Sequence, residues 1–190
     1  MGIFQILTLN QRYGDQVALK VYLDPEVMTY DELRYLTVFH LGFHGCVHVG
    51  ELIVHESIAE EVLQIFKELY QIRFPIEKMR LMSFYGYSDE LAMIDNNSSA
   101  FNFRYVKNGK KLSQHAYGLA IDLNPLINPY IEGNLVSPPN GLRYVDRVQR
   151  VQGMIKKNDP VYQIFKSYGW DWGGDWTHLK DYHHFEKPFK

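Results

Sequence analysis

A single cysteine, Cys46, stands in a chain of 190 residues. That excludes a disulfide within the chain and any metal site built from several thiolates. Long apolar runs are missing as well: no stretch approaches the roughly 18 residues that a membrane-crossing helix needs. Nor is charge of one sign in excess, with Lys plus Arg at 20 and Asp plus Glu at 22. The strong positive field of a nucleic-acid enzyme is therefore not encoded. The lysines between Lys107 and Lys111 and at Lys156-Lys157 read as solvated surface. Met1 to Arg12 lacks the basic start and apolar stretch of a signal peptide. Repeats, low-complexity tracts and linkers are absent too.

What is present is an ordinary globular balance, 46% hydrophobic and 22% charged residues. A chain of this length folds as one domain, 1–190, with residues 1–45 as a looser N-terminal extension. Aromatics make up 15% of it, a stock that suits a ligand groove and a plain core alike. Asp31-Glu32 opens a short helix ahead of the weak alternation that reaches His40. Val47 to His55 reads as a strand with Gly50 as a turn or bulge. Ser57 to Ile72 carries an apolar helical stripe of Ile58, Val62, Ile65, Phe66 and Leu69, with Ser57 and Glu60 forming a capping box. Lys78 to Phe84 alternates like a half-buried strand. Asp89 to Asn108 reads as loop with a helical turn near Glu90 to Ile94. Gly118 to Leu123 and Tyr182 to Glu186 are short strands. Pro160 to Tyr168 is a helix opened by proline and closed by Gly169. This order fits a small α+β domain with a central, mostly antiparallel sheet flanked by helices.

Chemistry concentrates in two clusters. In the first, Ser113 to Asp122, the carboxylate of Asp122 sits between Ile121 and Leu123, where it is costly unless paired or bound to a metal. A capped strand end is the plainer reading of Asp122, since Asn124-Pro125 follows. His115, seven residues earlier across Gly118, makes a shared ligand site with it the sharper one. One imidazole and one carboxylate are two-thirds of a catalytic zinc set, which keeps a position open for water. The second cluster, Trp170 to Glu186, offers the third ligand. His183 and His184 are adjacent in a strand, so only one of them is expected to face the site. Asp181, three residues before His184, is either a base bent back toward the site or part of a polar C-terminal edge strand, which is the plainer reading. Gly173-Gly174 permits a tight turn among tryptophans that either wall a groove or pin the segment to the core. His40, His44 and His48 recur at four-residue spacing, but Gly42 and Gly45 interrupt it and no carboxylate lies beside it, so no second metal site is expected there.

Together, Ser113-x-His115-x-x-Gly118-x-Ala120-x-Asp122, Trp172-Gly173-Gly174-Asp175-Trp176 and Asp181-x-x-His184-Phe185 resemble the M15 zinc peptidases. These are the D-alanyl-D-alanine carboxypeptidases and L-alanyl-D-glutamate endopeptidases, including vancomycin-resistance enzymes and phage endolysins. The resemblance covers residues 96–186 and implies a Hedgehog/DD-peptidase-like fold. It implies one Zn2+ per chain on His115, Asp122 and His184, with Asp181 as the catalytic carboxylate. Arg104 and Ser113 become substrate-binding residues, with Ser113 alternatively holding the ligand loop. Trp172, Trp176 and Tyr117 are candidate groove residues. His178 and His183 become bystanders. The implied substrate is a peptidoglycan stem peptide or muropeptide, cut by a monomer at the D-alanyl-D-alanine bond or, alternatively, between L-alanine and D-glutamate. A zinc-containing binding domain without catalysis and a metal-dependent amidase are the competing readings. The expected location is the periplasm or cell wall if an export signal has been removed, and otherwise the cytoplasm or release by lysis.

Overall fold

In the computed structural model, which describes residues 4–106 and 109–188, the chain opens with strand β1 (Gln5–Thr8). Thr8 and Gln11 cap the following helix α1 (Leu9–Tyr13) reciprocally, each side chain accepting from the other's backbone N–H. A short helix α2 (Val17–Lys20) and a 3-10 turn at Tyr30–Glu32 lead into the hairpin of β2 (Leu33–Leu41) and β3 (Val47–His55). The three strands form one antiparallel sheet in the order β1-β2-β3. Its alternation sorts the core. Leu36, Val38, Leu52 and Val54 face the apolar stripe of helix α3 (Ala59–Gln71), while Leu33, Tyr35 and Ile53 face Leu9, Val17 and Val21. Full burial of each such side chain contributes about 1.5–3 kcal/mol. Residues near the N-terminus are thus built into the sheet and into a second core, rather than appended to the domain.

Three local expectations are corrected. Helix α3 begins at Ala59 behind a 3-10 turn, and the ring of His55, not Ser57, accepts the backbone N–H that needs a partner there. Gly50 is no bulge, because the β2–β3 register runs unbroken with Val38 opposite Gly50. Glycine is needed there since a Cβ would come within 2.5 Å of the Met79 sulfur. Lys78 to Phe84 is strand only at β4 (Lys78–Met79), followed by a 3-10 turn at Met82–Tyr85. The buried pair Met79 and Met82 is spaced for that turn, and Gly86 in the left-handed region closes it.

Helix α4 (Asp89–Ile94), capped by Ser88, precedes β5 (Asn97–Ser98), which pairs in parallel with β4. The remaining elements frame the site: β6 (Ala120–Asp122), β7 (Tyr130–Glu132), β8 (Leu135–Ser137), α5 (Pro160–Ser167), β9 (Asp171–Trp172), β10 (Lys180–Asp181) and β11 (His184–Glu186). They form two antiparallel sheets, β6-β11-β9 and β10-β7-β8. The single central sheet expected from sequence is therefore divided, among the described residues, into four small sheets. Asn124 and Asn128, in the turn that joins β6 to β7, are fully buried. Asn124, at φ +46, accepts from Glu77 N–H and donates to the carbonyls of Pro75 and Gly153. Helix α5 ends as expected at Gly169, and Phe165 on it stacks on Phe185 at 3.9 Å, which fixes β11 against the core.

Candidate metal centre and its cleft

Strands β6 and β11 pair so that His184 lies opposite Asp122. Directly opposed residues share a face, so the imidazole and the carboxylate meet. His115 reaches them from a 3-10 turn at Gln114–Tyr117. Ser113 caps that turn by accepting from His115 N–H at 3.3 Å. Gly118 ends it at φ +67, passing so near the β3 backbone that a Cβ would sit 2.6 Å from His55 N.

Three donor atoms converge. His115 Nε2 lies 3.1 Å from His184 Nδ1 and 3.1 Å from Asp122 Oδ2, and His184 Nδ1 lies 3.1 Å from Asp122 Oδ1. A tetrahedral zinc with bonds of about 2.0–2.1 Å needs ligand atoms about 3.3 Å apart. The opposite nitrogens are engaged. His115 Nδ1–H donates to the Ala100 carbonyl at 2.5 Å, and His184 Nε2–H donates to Glu186 at 3.0 Å. With those bonds made by neutral rings, two nitrogen lone pairs and a carboxylate point at one another. Only a cation or an added proton reconciles them, and outer partners of this kind are what orient metal-bound histidines. In the metal-free chain the proton serves. Burial opposes charge on His184, yet hydrogen bonds to Asp122 and Glu186 push its pKa up to about 10. Burial by itself raises the Asp122 carboxyl, but the charges of His115 and His183 hold it well below the usual carboxylate range.

The centre opens into a cleft of about 520 Å³, also lined by Arg104, Ser113, Tyr130, Glu132, Trp176 and Asp181. That volume suits a short peptide. Asp181 is nearly buried, at 14% side-chain exposure. Its strand β10 is held on one side by β7, with Tyr130 opposite Asp181, and on the other by Gly173.

Residues 107–187 match a family model of M15 peptidases, described as D-alanyl-D-alanine carboxypeptidase. Within that segment lie His115, Asp122 and His184, whose ligand atoms gather within 4.8 Å of one another. The match spans 81 of the 190 residues, and over that segment the chain is similar to these peptidases. The description of that family and the three gathered ligating side chains together fit a metallopeptidase. No curated protein and no solved structure matches the chain.

The donor set is His115, Asp122 and His184, with His184 rather than its neighbour supplying the second imidazole. Two candidate groove residues do not line the cleft. Trp172 is buried, donates Nε1–H to the Tyr182 carbonyl and lies stacked with Phe185, ring centroids 6.3 Å apart. Tyr117 is packed against both apolar clusters. Trp176 does line the cleft, its ring 5.6 Å from that of His184. Arg104 lines it as well, paired through Nε with Asp89. His178 is exposed, whereas His183 is buried with its Nε2 2.9 Å from Asp181 Oδ1. Sequence reading passed over Glu186, although two residues past His184 on one strand is the position that shares its face. The Ala100 carbonyl carries no side-chain signal at all. His40 and His48 face each other across the β2–β3 ladder with rings stacked at 5.4 Å, far from a helical arrangement.

A Cβ at residue 173 would lie 2.5 Å from the Asp181 carbonyl oxygen and 2.7 Å from its Cβ. Gly173→Ala is therefore expected to displace β10 and lower kcat by about 100-fold, the effect of a misplacement near 1 Å. Zinc content should be kept. Steady-state kinetics beside elemental analysis checks this; unchanged kcat would show that β10 tolerates the shift.

Proposed function

We propose that the chain binds one zinc ion between His115, Asp122 and His184 and removes the terminal D-alanine of a stem peptide. In this reading Asp181 is the general base and then the general acid. The observation that supports it most is the convergence of three donors with both outer histidine nitrogens engaged, beside a carboxylate in the same cleft. In this reading the small α+β domain is of the Hedgehog/DD-peptidase-like kind.

Zinc at this place supplies a Lewis acid and lowers the pKa of water. The chain's own residues do the rest. Asp181 takes the proton of the attacking water and returns it to the leaving amine, so no side chain becomes acylated. Cys46 is exposed and needs no part in this. Glu186 accepts from His184 Nε2–H and so leaves His184 Nδ1 facing the other two donors. Arg104, steadied at Nε by Asp89, presents its remaining N–H groups to a peptide carboxylate in two-pronged fashion. Ser113 holds the His115 turn.

The test is digestion of a stem pentapeptide ending in D-alanyl-D-alanine, read by mass. A product lighter by one alanine residue is expected. Fragments split after L-alanine would replace this reading with the endopeptidase one, and release of an intact stem peptide from a muropeptide would indicate an amidase.

A further inference from the structure

We infer that His183 is a positioning residue for Asp181, seated by a brace from Asn128 and Arg147. This rests on the catalytic reading of Asp181 given above. The Asp181 Oδ1 atom is buried and makes no hydrogen bond of good alignment; its near polar neighbour is His183 Nε2 at 2.9 Å. The His183 ring cannot swing away, because Nδ1–H donates to the Asn128 carbonyl at 2.7 Å. Asn128 is itself fully buried and fixed from several sides. Its side chain donates to the carbonyls of Leu123 and Gly153 and accepts from Ile155 N–H. Arg147 closes the brace. Its Nη2 donates to Asn128 Oδ1 and to the Ile155 carbonyl, both at 2.7 Å, and its guanidinium lies 4.4 Å over the ring of Tyr182. Tyr182 joins Asp181 to His183, so the brace grips the segment on two sides.

The geometry has a functional consequence. A carboxylate that must receive and return a proton works at one position relative to the scissile bond. β10 is only two residues long and cannot by itself set a side-chain rotamer. His183 supplies a fixed edge against which the Asp181 carboxylate rests, outside the metal's own ligands.

The variants are His183→Phe, which keeps a ring of similar size without nitrogens, and His183→Gln, which restores one donor toward Asp181. Both are assayed as the full zinc-loaded chain on a peptide ending in D-alanyl-D-alanine. His183→Phe is expected to lower kcat about tenfold or more, with KM within about twofold and zinc still at one per chain. His183→Gln should recover part of kcat. Unchanged kcat in His183→Phe, equal loss in both variants, or loss of zinc along with activity would overturn the inference. A second readout is independent of turnover. Urea unfolding of the chain as purified, in a cycle of His183→Phe and Asp181→Asn, should show non-additive midpoints. Additive midpoints would overturn the contact. If the unsubstituted chain cleaves nothing, the functional reading fails, while the unfolding cycle still decides the contact.

Discussion

Asp181→Asn is expected to lower kcat by about 10²–10⁴, the usual worth of a positioned acid–base group, while zinc stays at one per chain. The variant keeps shape and leaves the three donors in place, since Asp181 is outside the His115, Asp122 and His184 set. What it loses is the ability to take a proton from water and give it to the amine. KM should change little, because the proton transfer belongs to the transition state. Kinetics and elemental analysis on one preparation check the split. Near-normal turnover would remove Asp181 from the reaction, and loss of zinc would make it a ligand.

A second large effect is expected from His115→Ala. His115 Nε2 contacts both other donors, so its removal leaves two ligands and a gap in the coordination set. It also strips the Ala100 carbonyl of its buried partner. Zinc should be lost on dialysis and activity should fall below detection. Glu186→Gln is the graded comparison. Weakening the outer hydrogen bond to His184 should cost about 10–100-fold in zinc affinity without abolishing activity at saturating metal. Proton competition sharpens both effects. With the His184 pKa near 10 in the metal-free chain, metal binding at neutral pH must displace a proton, and affinity falls as pH falls. Full zinc occupancy in His115→Ala after dialysis would remove His115 from the set.

The sequence carried the metal centre further than it carried the architecture around it. His115 and Asp122 were legible because a carboxylate inside an apolar strand demands a partner and an imidazole stands seven residues earlier, whereas His184 was singled out from His183 only by the resemblance to the M15 peptidases. Helices α3 and α5 were legible from apolar stripes and from the proline and glycine at the ends of α5. The sheets were harder. Nothing local tells that Asn124 and Asn128 are buried knots, since their value lies in carbonyls and N–H groups far along the chain. Trp172 and Trp176, four residues apart in one motif, take opposite roles because only the first lies on β9 facing Phe185. His183 was set aside on the resemblance alone, strand alternation leaving open which of the two histidines faces the site. It stands just before β11, where the chain has not yet entered the regular pleat, and so shares the neighbourhood of Asp122 and Asp181.

The most direct test of the central claim is zinc per chain measured on the gently purified protein, followed in the same sample by chelation and zinc readdition with D-alanine release monitored throughout. The account predicts about one zinc, activity lost on chelation and activity restored by zinc. D-Alanine release that persists in a metal-free, chelated sample would contradict it.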